Sequence, residues 1–317
     1  MEQQYEEMQL AKKRFWRILL PLLVYLGVRY LGNLIAEMFV IALNVTDILD
    51  IKAISAMGME EQLEFIRQLS TDATTYAKMA KIFIENTMLI SAIVAAVALP
   101  VGLIFFLVDR NREKKVGALQ VRKEPVWKYP LMVLLGVALC IALNVILLMC
   151  DQVFFQGMTS QSLSATYASP MVLQLIGVGV FVPFSEEFFY RGVLYNRYRE
   201  NGPYMRAAVY TSILFAIAHG SMIQMIYAMI LGMVLAYAYE KFGSIAAPIT
   251  MHIAVNVTSV ILTNEGGFAW LLANPMRAGV VTVVCAFVGS SVIVYLQSLK
   301  GREDLNSNTN GENIETT

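Results

Sequence analysis

Long apolar runs alternate with short polar breaks along this chain, and the runs set its architecture. Eight stretches come near or exceed the roughly 20 apolar residues that a membrane-crossing helix needs. They are 16–44, 85–108, 129–150, 170–197, 204–220, 222–241, 244–263 and 277–298. The later breaks carry turn formers: Asn201-Gly202-Pro203, Gly220-Ser221, Phe242-Gly243-Ser244 and the stretch Asn264 to Pro275. The pattern predicts an all-α, multi-pass transmembrane helix bundle of about eight helices.

Basic residues then suggest an orientation. Segment 109–128 holds Arg110, Arg112, Lys114, Lys115, Arg122, Lys123 and Lys128, whereas 151–169 and 264–276 hold no Lys or Arg. Lys12, Lys13 and Arg14 precede the first run; Arg197, Arg199 and Arg206 flank the fourth break; Lys300 and Arg302 follow the last run. Cytoplasmic loops carry the excess of Lys and Arg, so both termini are predicted inside, in the cell membrane. The expected division is a cytoplasmic head 1–15 and an N-terminal membrane region 16–169. A core 170–263, a last external loop and helix 264–298, and a disordered cytoplasmic tail 299–317 follow. The first apolar run continues for nearly thirty residues. A signal-peptide core is only about 7–15 residues, so the run is expected to be a membrane helix rather than a cleaved leader. The external piece 46–84 includes the amphipathic Glu60–Arg67, expected to be a solvated connecting helix or one lying on the membrane.

Composition agrees with lipid as the main solvent. The chain of 317 residues is 57% hydrophobic and only 15% charged, against about 25% charged in soluble domains. Its formal net charge is zero, which speaks against nucleic acid as a partner and leaves membrane lipids. Cys140, Cys150 and Cys285 have neither CxxC nor zinc spacing and are expected to be buried free thiols.

Ionisable groups inside such runs are costly and usually pair or mark function. Glu187 and Arg191 are spaced i, i+4 and should meet on one helix face. Glu186, about 100° round the helix, then has no opposite charge in its own helix, a condition suited to general acid or base work. Pro183 just upstream is expected to loosen the helix and admit water. The chain has two histidines, His219 and His252. Phe215 precedes His219 by one turn. Glu186 lies 16 residues before Gly202 and His219 lies 17 after it, so in a hairpin the two reach similar depth and can share a water. His252 and Asn256 are again i, i+4 and offer two convergent N–H donors of the kind an oxyanion hole uses. Each of these residues also admits a reading as interhelix hydrogen-bonding glue. Ser185, beside Glu186, is expected to bond back to its own helix.

Glu186-Glu187 with Arg191, Phe215 with His219, and His252 with Asn256 together resemble the CPBP family of intramembrane proteases. That family includes the prenyl-protein (CAAX) endopeptidases and the bacterial Abi proteins. The resemblance covers roughly 170–263 and consumes both histidines. It implies that Glu186 activates the attacking water and His219 helps hold it. It also implies that His252 and Asn256 stabilise the oxyanion, while Glu187, Arg191 and Phe215 support the site. The implied activity is hydrolysis of a membrane-presented peptide or protein, reached from the cytoplasmic half. No cofactor is required by this reading, although a divalent metal such as zinc on Glu186, His219 and His252 stays open. Two other readings remain. One is a non-proteolytic scaffold or immunity protein of the same fold. The other is a proton-coupled carrier, for which the sequence shows no inverted repeat.

Overall fold

The computed structural model describes residues 2–69, 72–116, 123–154, 167, 169–200 and 202–301. These residues form helices and no strands. Eight carry the architecture: α1 (Glu2–Leu43), α2 (Thr87–Val116), α3 (Pro130–Phe154), α4 (Met171–Arg199), α5 (Tyr204–Ile217), α6 (Met222–Phe242), α7 (Ala246–Asn264) and α8 (Pro275–Gln297). All but α5 are long and apolar enough to cross a membrane. The multi-pass helical bundle expected from the apolar runs is what the chain forms.

The fifth run behaves differently from the expectation. The apolar stretch 204–220 yields a helix of 14 residues, about 21 Å at 1.5 Å per residue, against a hydrocarbon core of about 30 Å. The reason is local. Ala218 and Gly220-Ser221 turn the chain, and His219 Nδ1 lies 2.8 Å from the Phe215 carbonyl, one of the acceptors a helix end leaves open. Ser221 then caps α6 by accepting from Gln224 N–H.

Helix ends that carry charge meet at one end of the bundle. Arg197 of α4 makes two bonds to Asp109 of α2 (2.7 and 3.2 Å). Arg17 of α1 grips Glu200. Arg199 reaches Glu240 of α6 at 3.0 Å, and Lys241 Nζ donates to the Leu299 carbonyl after α8. Arg197 and Arg199 of the basic residues named above thus take part in these contacts; Arg122 and the tail 302–317 lie outside the described residues. Gly243 ends α6 in the left-handed conformation (φ 63°) at this same end.

Four apolar clusters are found among the described residues, two of them large. One joins α3, α6, α7 and α8 around Leu135, Leu235, Met251 and Leu296. The other joins α1, α2, α4, α5 and α6 around Tyr25, Ala98, Phe189, Phe215 and Ala228. Gly136 lets α3 touch α7 closely, since a Cβ there would lie 2.6 Å from the Met251 carbonyl. Between α1 and α2, helix Met59–Leu69 has no buried residue, whereas Ala73–Glu85 docks Ile82 on α1 and α2 through Ala36, Val40 and Ile90.

Candidate active site

The site is built around α4, whose backbone widens twice. Turns of π type occupy Gly177–Phe181 and Phe188–Tyr195, on either side of Val182–Glu187. Such widened turns often mark functional sites. Pro183 accounts for one consequence. In the first wide turn Val182 N–H bonds five residues back, to the Gly177 carbonyl. The next bond in that series would run from residue 183 to Val178, and proline has no N–H to give. The Val178 carbonyl is instead satisfied from another helix, by Asn256 Nδ2 at 2.8 Å. The loosening expected at Pro183 is thus real, and a site residue fills the gap.

Glu187 and Arg191 pair as their spacing predicts, at 2.8 Å and with neither side chain exposed. Arg191 also donates to the Gly232 carbonyl of α6 at 3.1 Å and lies 4.6 Å over the Phe215 ring. Glu187 Oε1 has a second partner, His252 Nδ1 of α7 at 2.8 Å. The carboxylate accepts, so Nδ1 carries the hydrogen and Nε2 faces the cavity, 4.0 Å from Glu186 Oε2. By the same reasoning the bond to the Phe215 carbonyl puts the His219 hydrogen on Nδ1 and leaves Nε2 as an acceptor. Phe215 stands edge-to-face with both imidazoles, at 4.8 and 5.8 Å, and so spaces them.

Glu186, His219, His252 and Asn256 line a single cavity of about 230 Å³, with Phe215, Tyr227 and Asn144 among its walls. A second cavity of about 490 Å³ shares Asn144, Leu148, Tyr167 and Ser259 with it and extends to Phe268 and Leu272. The first cavity's α3 and α6 walls come from the second half of α3 and the first half of α6, away from the charged end. Asn144, Gln224 and Tyr227 lie on the side of His252 away from that end.

Two contacts bear on these roles. Glu186 has no opposite charge in its own helix, as expected, and its charged partner comes from another: Arg29 of α1 approaches its Oε1 to 3.5 Å. Arg29 also lies 3.5 Å from the Tyr25 hydroxyl. That hydroxyl is 3.4 Å from Ser185 Oγ, so Ser185 bonds to α1. Tyr25 stacks on Phe189 at 3.7 Å, which fixes α1 against α4. Secondly, the two N–H donors assigned to an oxyanion are partly spent. His252 gives its Nδ1 hydrogen to Glu187, and Asn256 gives one amide hydrogen to Val178.

For a metal, the proposed ligands would be Glu186, His219 and His252. Among the described residues no three His, Cys, Asp or Glu side chains converge as a metal site, and the Arg29 guanidinium sits beside the one carboxylate concerned. The three thiols are free, with Cys140 buried and Cys150 and Cys285 half-buried.

Residues 167–258 match the family described as Type II CAAX prenyl endopeptidase Rce1-like. The match spans less than a third of the chain. It contains Glu186, Glu187, Arg191, Phe215, His219, His252 and Asn256, and it leaves out Arg29 and Asn144. The match supports endopeptidase activity within the membrane. No curated protein and no solved structure matched the chain. The matched segment therefore receives from α1 a cation, and from α3 a wall, that lie outside its own bounds.

Proposed function

We propose that the chain is an intramembrane endopeptidase of glutamate type, acting on a peptide or membrane-protein segment drawn into the cavity of the Rce1-like domain. The observation that carries this reading is the convergence of Glu186, His219, His252 and Asn256 on one cavity. A water held between Glu186 and the Nε2 of His219 attacks the scissile carbonyl carbon. Its proton passes to Glu186 while its oxygen bonds to that carbon. The second amide hydrogen of Asn256 faces the developing oxyanion, beside the His252 imidazole that Glu187 orients. Collapse of the tetrahedral intermediate breaks the C–N bond, and the proton on Glu186 goes to the leaving amine. Arg29 holds Glu186 in place and offsets its charge. Every step is carried by this chain's side chains, with no metal.

The test is cleavage of a pooled peptide library by the purified protein in nanodiscs, with and without chelator. Products that persist under chelation and vanish in Glu186→Gln support the proposal. Products lost on chelation and restored by zinc would replace it with a metal mechanism. Unimpaired cleavage by Glu186→Gln would remove Glu186 from the chemistry.

A further inference from the structure

A second site lies at the charged end, about 17 Å from Glu186 as α1 and α4 run toward it. A cavity of about 240 Å³ there is lined by Lys13, Arg14, Arg17, Arg112 and Arg197, with Ile18 as apolar wall. Three elements build it: the start of α1, the end of α2 and the end of α4. Two carboxylates reach these cations. Asp109 is held by Arg197 at 2.7 Å and lies 3.7 Å from Arg17, and Glu200 is held by Arg17 and lies 3.6 Å from Arg112. Lys13 and Arg14 make no ion pair among the described residues. Five cations thus line one concavity, and two carboxylates are seen to reach them among the described residues.

Depth identifies the ligand's source. The apolar run of α1 begins at Phe15-Trp16, immediately after Lys13-Arg14. Both rings are exposed (58% and 49%) and stand edge-to-face at 5.8 Å. Exposed aromatic residues at the start of a membrane helix sit at headgroup level. Leu20 and Leu23, also exposed, continue an apolar surface below them. A basic pocket between membrane helices at that depth suits a lipid phosphate. We infer that this cavity binds the phosphate of an anionic phospholipid, whose acyl chains lie along α1. The inference does not depend on the proteolytic reading.

The test uses the full chain in phosphatidylcholine nanodiscs with a minor share of phosphatidylglycerol, and native mass spectrometry of the lipid each protein retains. The wild type retains phosphatidylglycerol selectively. Lys13→Gln/Arg14→Gln weakens that selectivity about 25-fold, from roughly 1 kcal/mol per basic side chain and 1.4 kcal/mol per tenfold. Lys12→Gln/Lys123→Gln removes as much charge from residues that do not line the cavity and keeps the selectivity. The charge-preserving Lys13→Arg/Arg14→Lys also keeps it, which separates binding from folding. Equal loss in both Gln pairs would mean diffuse surface attraction and would overturn the site. So would a wild type without selectivity. In detergent, stabilisation by millimolar inorganic phosphate equal to that by phosphatidylglycerol would overturn the lipid as source.

Discussion

Replacing Arg191 by methionine tests how the interior around the site is held. Methionine preserves apolar volume but removes the Nη1 bond to Glu187 (2.8 Å), the Nη2 bond to the Gly232 carbonyl (3.1 Å) and the stacking over Phe215. Glu187 is fully buried and its Oε2 has no hydrogen-bond partner among the described residues, so it would keep only His252. Breaking one side of a buried pair costs about 3–5 kcal/mol, because the remaining charge is uncompensated. Orphaning the Gly232 carbonyl adds about 1 kcal/mol. At roughly 2–4 °C per kcal/mol, Arg191→Met should melt about 10–20 °C lower than wild type in the same nanodisc. Glu187→Gln/Arg191→Met removes both charges while the glutamine oxygen still accepts from His252. That double variant should therefore be the more stable of the two by about 2 kcal/mol, although it carries one more substitution. A double variant that melts below Arg191→Met would refute the argument from uncompensated charge. An Arg191→Met loss below about 1 kcal/mol would refute it as well.

Arg29→Met should lower cleavage about tenfold to a hundredfold with little loss of melting temperature, because it removes the guanidinium paired with Glu186; unchanged turnover would remove Arg29 from the site. Gly232→Ala should cost about 1–3 kcal/mol in a melting assay, since the new Cβ would meet Ser212 Oγ at 2.9 Å and disturb the carbonyl that Arg191 uses. Asn256→Ala should loosen α4 around Val178, seen as faster amide exchange over 177–182, because it removes the only donor described for that carbonyl. In the external segment, hydrogen bonds from Thr74 and then Thr75 hold the Asp72 carboxyl below the usual carboxylate range. A depressed native value means the cap's contribution is full above the unfolded Asp value of about 3.9 and is lost as pH falls through the native one. Amide exchange in helix Ala73–Glu85 should therefore show no cap-dependent fraying from pH 7 down to about 4; fraying already at pH 5 would contradict this.

Much of the site was readable because its pairs sit within single helices. The spacing of Glu187 and Arg191, of Phe215 and His219, and of His252 and Asn256 fixes which side chains share a face before any packing is known. Depth counting across the Gly202 hairpin likewise brought Glu186 and His219 to one cavity. What escaped depends on contacts between distant segments. Arg29 is 157 residues from Glu186, and no periodicity links them. Its signal was nevertheless present: a lone arginine midway along the first apolar run is itself a mark of function. The commitment of Asn256 to Val178 follows from the wide turn before Pro183, and turn width is set by tertiary fit rather than by residue type. Nor could apolar length alone reveal that α5 stops at Ile217, since that end is made by one imidazole folding back on a carbonyl.

The central claim is a division of labour between adjacent glutamates, with Glu186 serving the chemistry and Glu187 the fold. Product formation and melting temperature, measured on the same preparations of Glu186→Gln and wild type, test it most directly. The account predicts loss of cleavage by at least about a hundredfold with melting within a few degrees of wild type. Cleavage retained by Glu186→Gln, or its loss only alongside a collapse in melting temperature, would contradict it.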